Sequence, residues 1–529
     1  MTMTTQEIIS TYVPKDTPTT IAGKTISFPV TASSLREVVV GLSKTHHLPM
    51  KTMFAKDDRE ADHSYKICYV FGVPKTGHFL IPTLSLVGTE SYPSLALDLF
   101  QTALYEPHIY EMFGLIPEGF PGKLQPVVLH DNWLAHVHPM RKDFMESDKR
   151  KHGGSERLSY TFTEVEGEGV FEVPVGPVHA GIIEPGHFRF SMAGEAIVNL
   201  EARLGWMHKG SEKLFETLPL EKKVALSERI AGDASFANST AFVSAVESLA
   251  GIEIPKRAAY LRVIFGELER LACHFNDIGF ILSDTGFNFG GAQGTRLRER
   301  IMQWNERLTG SRFLRGVNTI GGVTVDIGED VLVSIAKEME DLKKDIAQVI
   351  EIAGNSSIVL NRIDGTGKIS HAIATDYDAV GVPARASGVA VDARIDYPYA
   401  AYADLPFPIS TETTGDVAAR YRVRIKEVYS SMDLIAQAVA WIPEGEICAP
   451  TPHLSLKKDA VEVGIAEAWR GDTVYVVATD NKGEISRVSV RESSWINWNL
   501  VPHAGPGNVL LDFPLINKSF NLSYTGFDK

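Results

Sequence analysis

Cysteine is nearly absent from this chain. Its 529 residues carry three, Cys68, Cys273 and Cys448, and no two stand at the close spacing that metal-binding pairs use. That excludes an iron–sulfur cluster of four cysteine ligands, or a four-thiolate metal centre, built from this chain alone. The scarcity fits a reducing compartment, and each thiol reads first as a small buried apolar group. Positive charge is also short. With 52 Lys and Arg against 66 Asp and Glu the net charge is −14, the wrong sign for nucleic acid, which wants concentrated cations. Long apolar runs are missing too: no uncharged stretch approaches the roughly 20 residues that span a bilayer. The opening MTMTTQEIISTYVPKDTPTT has neither the basic start nor the apolar core of a signal peptide. The expectation is a soluble chain whose partners are proteins or small molecules, with membrane association supplied by other subunits.

What is present is ordinary globular material, 44% apolar and 22% charged, in a chain long enough for two or more domains. Residues 1–30, rich in Thr and Pro, are expected to be loose or strand-like. Leu35, Val38, Val39 and Leu42 share one helical face behind a cap at Ser34. Tyr65 to Val73 and His78 to Val87 read as strands around a turn at Pro74 to Gly77, and a second helix is expected from Ser94 to Tyr105. The segment from Glu106 to Phe144 is dense in Pro, Gly and aromatics and reads as loop-rich. Glu146 to Glu166 reads as a linker. Beyond it, Pro255 to Phe280 carries Leu261, Ile264, Phe265, Leu268 and Leu271 on one side. Glu267, Arg270, His274 and Asp277 form a polar stripe at helical spacing, expected to be a solvated or interface ion-pair row. Three more helices are expected at Arg296 to Leu308, Val331 to Ala353 and Ala418 to Trp441. The fold class is therefore α+β: a small N-terminal α+β domain over 30–150, a linker over 151–170, and a mainly α-helical bundle over 171–529 with short flanking β-hairpins.

Two sets of motifs point to known families. Glu106, Tyr110, Glu111, Met112, Phe113 and Gly114, with His138, Pro139, Arg141, Lys142 and Asp143 after an Asp131-Asn132-Trp133 turn, resemble the signature of the small connecting-module subunit of complex I, the NADH:quinone oxidoreductase. The resemblance implies a small α+β domain docked on the quinone-site subunit. His130, His136 and His138 read as surface or packed histidines, because no second cluster of ligands accompanies them. The second set is Gly176-Pro177-Val178-His179, Glu184-Pro185-Gly186-His187-Phe188-Arg189 and His208-Lys209-Gly210-Ser211-Glu212-Lys213. It continues through Asn318, Gly321, Gly322, Ala384-Arg385-Ala386-Ser387-Gly388 and Asp396 to Tyr402. These resemble both the large subunit of membrane-bound NiFe hydrogenases, of the formate-hydrogenlyase and hydrogenase-4 type, and the quinone-site subunit of complex I.

In those hydrogenases an Arg, an apolar residue and Cys-Gly-x-Cys open a helix rich in Ser, Thr and Ala. Here the run is Arg229, Ile230, Ala231, Gly232, Asp233, Ala234. Near the end, where they carry Asp-Pro-Cys-x-x-Cys, the resemblance places Asn521 and Tyr524 at the two thiolate positions. A methyl group has no lone pair for nickel. The resemblance thus implies a hydrogenase-shaped body that has lost its metal and is not an active hydrogenase. A vacated site should be filled by larger groups or a ligand, since an empty cavity costs about 20 cal/mol per Å³.

Asp233 and Asn238 are expected to face that site. A buried Asp needs a cation or donors, with Arg229, Arg385 and His208 as candidates. Asp233 either caps and salt-bridges or holds a small polar ligand and relays protons. By resemblance His187, or else His179, holds a quinone head with Arg385 in the same cavity, or makes a structural hydrogen bond; the family's quinone Tyr falls near Gly232. Glu212, beside His208 and Lys213, reads either as a proton carrier with a pKa moved toward neutrality or as an ordinary ion pair. No metal and no tightly bound cofactor is expected in this chain beyond a quinone, with an iron–sulfur cluster in a partner subunit. The implied role is a large peripheral-arm subunit of a membrane-bound, ion-translocating oxidoreductase complex with NAD(P)H, quinone or a similar acceptor as substrate. It would sit on the cytoplasmic side of the inner membrane against a small iron–sulfur hydrogenase-like subunit and antiporter-like membrane subunits. The alternative is a catalytically silent scaffold or coupling subunit.

Overall fold

The structure is a computed structural model that describes residues 5–14, 17–145, 147–148, 157–180, 183–451 and 454–529. The expected linker falls partly outside these residues.

A short helix, α1 (Thr5–Tyr12), comes first and buries Ile8 and Ile9. It stands where a loose or strand-like start was expected, because an apolar pair next to Val13 finds the core despite the Thr-rich surroundings. Five strands follow: β1 (Thr20–Ala22), β2 (Thr25–Val30), β3 (Met50–Asp58), β4 (Ser64–Val73) and β5 (His78–Val87). They form one sheet in the order β1-β2-β5-β4-β3. Only β2 and β5 run parallel, with Thr25 opposite Phe79.

Between β2 and β3, α2 (Ala32–Val40) buries Leu35, Val38 and Val39 as expected. Its cap is Thr31 rather than Ser34: the Thr31 side chain accepts from the Ser34 amide while Ser34 accepts from the Thr31 amide. The helix expected at Ser94 to Tyr105 is replaced by a turn and a short 3-10 segment, Phe100–Leu104. The Glu106 carboxylate takes Ser94 Oγ at 2.6 Å and the Leu95 amide at 2.9 Å, which folds the chain back on itself. Helix α3 (Glu106–Phe113) then begins with Pro at its first turn.

The second part opens with a three-stranded antiparallel sheet, β6 (Val170–Val175), β7 (His187–Ala193) and β8 (Ala196–Arg203). Its longest helices among the described residues are α4 (Ser235–Ala250), α5 (Lys256–Asp284), α6 (Asn288–Thr309), α7 (Glu329–Gly354) and α8 (Val417–Trp441). α5 is the buried axis. It meets α6 at a glycine pair: a Cβ on Gly294 would lie 2.5 Å from Gly279 Cα, so only glycines allow this approach.

A further sheet has no counterpart among the elements expected from the sequence. Strands β9 (Val461–Ala468), β10 (Gly471–Thr479) and β11 (Ile485–Arg491) do not flank the bundle; they form a second antiparallel sheet buried on both faces. One face lies on α4, so closely that a Cβ on Gly464 would sit 1.9 Å from the Ala241 carbonyl. The other packs Val463, Ile465, Val474 and Val476 against Phe54, Val70, Phe79 and Ile81 of the first sheet. Lys51 pairs with Asp472 at 2.9 Å, and Thr25 donates to Glu462 at 2.7 Å. The two parts therefore share one core. Among the described residues no helix is long and apolar enough to cross a membrane.

Candidate functional site

The loop before α4 carries Ile230, Ala231 and Ala234, all fully buried. The two alanines pack with Ala237, Ala468 and the indole of Trp469, and Cys273 lies beside them. Trp469 and Arg470 occupy the tight turn between β9 and β10, which delivers both side chains to this loop. The Trp469 indole N–H donates to the Asp233 carbonyl at 3.2 Å. Arg470 stacks on the Trp469 ring at 3.8 Å and bonds both Asp233 carboxylate oxygens at 2.7 Å. Burial opposes ionisation of Asp233, but the guanidinium outweighs it and holds the carboxyl below its usual range.

The third nitrogen of Arg470 donates to the Asn521 carbonyl at 2.5 Å. Asn521 ends the helix Phe513–Phe520 in a left-handed conformation, φ 45°, and its amide donates to Asp277 at 2.6 Å. Asp277 also receives Arg424 at 2.8 Å. A continuous polar chain thus runs Asp233, Arg470, Asn521, Asp277, Arg424. Beside it lies a hollow of about 60 Å³ bordered by Asp233, Glu269, Cys273, Asn305, Trp469 and Asn521 among others. Glu269 caps α4, accepting from the Phe236 and Ala237 amides at 2.7 and 3.1 Å. Burial nevertheless pushes its pKa up to about 8.

Behind the hollow the expected polar stripe of α5 proves wholly buried, not solvated: Glu267, Arg270, His274 and Asp277 are at most 2% exposed. Glu267 takes Arg394 at 2.9 Å, Tyr402 at 2.6 Å and Ser431 at 2.6 Å. His274 meets Glu427 at 2.7 Å. Arg385 joins Glu427 at 2.7 Å to Glu467 at 2.8 Å, and Arg394 holds Asp392 at 2.7 Å. The cluster sets the four carboxylates of Glu267, Asp392, Glu427 and Glu467 against the guanidiniums of Arg270, Arg385 and Arg394. One negative charge is in excess, and burial with the neighbouring Asp392 raises Glu467 to about 7. Burial holds His274 below its usual value.

The other sequence candidates are placed as follows. Arg385, expected in the ligand cavity, belongs to this buried cluster. Asp233 is served by Arg470, not by Arg229, Arg385 or His208. Arg229 bonds the Ala225 carbonyl, and His208 Nδ1 lies 2.6 Å from the Asp528 carbonyl, with burial lowering its pKa. Asn238 does not face the hollow; its amide bonds Ala234, Thr473 and Tyr475. Glu212 accepts from Arg487 at 2.7 Å and the Val490 amide at 2.8 Å. Burial there is outweighed by Arg487 and Lys529, so its pKa falls far below the carboxylate range instead of rising. His179 Nε2 lies 2.7 Å from the Gly186 carbonyl. His187 Nδ1 lies 3.2 Å from the Gly176 carbonyl, while its buried Nε2 has no partner. It borders a separate cleft of about 410 Å³ with Tyr160, Phe162, Arg203 and Trp206.

Asn521 borders the hollow, but Tyr524 does not. The left-handed turn at Asn521 carries it under the β6–β8 hairpins, against Gly186 and 4.8 Å from the Trp498 ring. In the first domain, Glu111 accepts from the Val127, Val128 and Leu129 amides. Lys142 reaches Glu216 and the Ser486 carbonyl at 2.8 and 2.7 Å, so this motif fastens the domain to the larger part. Sequence reasoning missed Trp469, Arg470, Glu269, Glu427 and Glu467. A Trp-Arg-Gly tip between two strongly apolar strands is the one signal that marks the first two.

Comparison with known proteins agrees with this anatomy. Residues 28–150 match the family described as respiratory-chain NADH dehydrogenase, 30 Kd subunit, and residues 284–465 match that of the 49 Kd subunit. Formate hydrogenlyase subunit 5 of Escherichia coli (strain K12) is 32% identical over 91% of this chain and 84% of that protein. Hydrogenase-4 component G of the same organism is 32% identical over 95% and 88%. A chain of the membrane-bound sulfane sulfur reductase, an archaeal respiratory membrane complex, superposes with a TM-score of 0.64 at 27% identity, over 68% of this chain and 99% of that one. The chain belongs to the family that fuses 30 Kd-like and 49 Kd-like subunits and includes these hydrogenase components.

Proposed function

We propose that this member of the fused 30 Kd and 49 Kd family is the large peripheral-arm subunit of a membrane-bound, ion-translocating redox complex, working without a nickel–iron centre. The observation that carries this is the Arg470 tie. A fixed organic cation joins the loop at Ala231 and Ala234 to the segment at Asn521, where the hydrogenase resemblance puts the metal. The residues there do not fit nickel and iron. Two positions are methyl groups, the Asn521 amide is given to Asp277, and the Tyr524 ring is packed away against Gly186 and Trp498. Trp469 fills the space, which agrees with the cost of leaving such a site empty.

For the acceptor the chain offers two sites of different size. The hollow of about 60 Å³ takes a molecule of a few atoms. The cleft at His187, about 410 Å³ and walled by Tyr160, Phe162 and Trp206, takes a ring, and the unpartnered His187 Nε2 suits a quinone oxygen. Electrons would come from an iron–sulfur cluster in a small neighbouring subunit, with antiporter-like membrane subunits below and the whole arm on the cytoplasmic side. Isolation of the tagged chain from native membranes tests the assignment. It predicts recovery with a small iron–sulfur protein and integral-membrane subunits; recovery of the chain alone, at full yield from the soluble fraction, contradicts it.

A second reading rests on the buried cluster of Glu267, Glu427, Glu467 and their arginines. A network with one carboxylate in excess and Glu467 near 7 changes its protonation with little free energy, which suits a subunit that transmits charge movement and performs no chemistry. Turnover of a quinone analogue by the complex, lost in the His187→Ala variant with assembly intact, favours the catalytic form; unchanged turnover favours the coupling form.

A further inference from the structure

We propose that the hollow beside Asp233 binds a small inorganic anion that carries its own hydrogen, the class of hydrogen carbonate and hydrosulfide. The inference rests on the reading of this hollow as what Trp469 leaves open of the vacated centre, and goes on to say what chemistry now enters it. The ionisable side chains on its wall are Asp233, Glu269, Asp277, Arg298 and Arg312, with the Cys273 thiol. Asp233 is neutralised by the bidentate Arg470 and Asp277 by Arg424. Arg312 is spent on Glu299 and Glu306. Glu269, raised to about 8 by burial, is uncharged at neutral pH, and burial likewise keeps the Cys273 thiol protonated. Arg298 is left over: it is partly buried and makes no hydrogen bond or ion pair with any described residue, so that its charge reaches Asp233 and Glu299 only from beyond contact distance. One uncompensated cation on the wall of a narrow, partly enclosed space attracts an anion.

A second observation is independent of charge. Asn305 is 2% exposed, gives its amide N–H to the Arg312 carbonyl at 3.1 Å, and leaves its buried Oδ1 without a donor. A buried acceptor of this kind costs stability unless something donates to it. The ligand must therefore accept from Arg298 and donate to Asn305, which a hydrogen-bearing anion does. The volume of about 60 Å³ limits it to a few heavy atoms and shuts out nucleotides and rings.

Isotope-labelled hydrogen carbonate titrated into the purified full-length chain and followed by its shifted infrared band tests this, with unlabelled hydrogen carbonate as competitor. The expected result is one saturable bound band, displaced by unlabelled hydrogen carbonate and weakened about tenfold or more in Arg298→Gln, but retained in Arg296→Gln. Arg296 lies on the same helix, exposed and paired with Asp345, so it controls for surface charge. Circular dichroism establishes that both variants fold. No bound band, a band unchanged in Arg298→Gln, or one that unlabelled hydrogen carbonate does not displace overturns the proposal. Neither nickel content nor partner recovery enters this readout, so its failure leaves the subunit assignment standing.

Discussion

Arg470 grips Asp233 through two bonds of 2.7 Å, and with its remaining nitrogen holds the Asn521 carbonyl. Two segments far apart in the chain are thereby cross-linked by one guanidinium. The tie is geometrically specific, since only the planar fork of arginine serves a carboxylate twice while donating a third time. A lysine at 470 would not replace it.

Asp233→Asn leaves Arg470, whose side chain is 4% exposed, with a neutral partner. Full burial of both groups would cost about 3–5 kcal/mol on breaking the pair. Asp233 is 43% exposed, so solvent screening reduces the expected loss to about 1–2 kcal/mol, read as a lower urea midpoint. Because the folded pKa of Asp233 is depressed, its contribution is complete above the ordinary aspartate value near 4 and fades as pH falls through the lower folded value. The penalty of the variant is therefore present at neutral pH and shrinks below about pH 4.

Glu269 behaves in the opposite sense. Its folded pKa of about 8 lies above the unfolded value near 4.3, so the folded state binds the extra proton between them. Its contribution is full below about pH 4 and is lost as pH rises toward 8. Glu269→Gln keeps an acceptor for one of the two amides, Phe236 or Ala237, and removes the titration. The expected outcome is a flatter decline of thermal stability between pH 5 and 8 in the variant, measured by calorimetry; parallel curves contradict the assignment.

Glu427 links His274 to Arg385 inside the bundle, and both partners are completely buried. Glu427→Gln takes the nearest counter-charge from Arg385 but leaves it Glu467 and Asp392, so the cost should be about 1–3 kcal/mol, below that of a buried ion left alone. Arg385→Met combined with Glu427→Gln should cost less than the sum of the two single changes, because the charge that lost its nearest partner goes with the arginine. Additive unfolding free energies would show that the two do not interact.

Cysteines placed back at 231 and 234 meet the Trp469 indole instead of a metal. Each added sulfur crowds a fully buried position, and overpacking of this kind costs about 1–3 kcal/mol. The double variant is expected to be less stable and to take up no nickel when refolded with it, since Arg470 and Trp469 still occupy the space. Stable nickel binding by that variant would mean the site is more open than the packing allows.

Much of the scaffold was legible from periodicity. The helices expected at Pro255, Val331 and Ala418 and the strands at Ser64–Val73 and His78–Val87 lie within a few residues of their positions, because their apolar spacing is strong over many residues; the helix expected at Arg296 begins earlier, at Asn288, where Gly290, Gly291 and Gly294 interrupt the pattern. The helix at Thr5–Tyr12 was not legible: two turns give too short a pattern. The sheet at residues 461–491 was not legible for another reason. A strand buried on both faces, such as Gly471–Thr479, shows a continuous apolar run without alternation, and nothing in that run says whether it lies at the edge or the centre. The alanines at 231 and 234 stand out in the sequence only through the hydrogenase resemblance, which puts thiolates there. Their replacement partner does not stand out, since Arg470 is brought to Asp233 by tertiary packing across 237 residues. The stripe on α5 was visible as charge at helical spacing, yet the same spacing serves a solvated face and a buried network equally well; only the arginines at 385 and 394 distinguish the two.

The central claim is the proposal that a guanidinium and an indole stand where the hydrogenase resemblance puts a metal. Metal analysis of the complex isolated without oxygen, from cells supplied with nickel, tests it most directly. The account predicts iron from the partner's cluster and no stoichiometric nickel in this chain. One nickel per chain, bound among Ala231, Ala234 and Asn521, would contradict it.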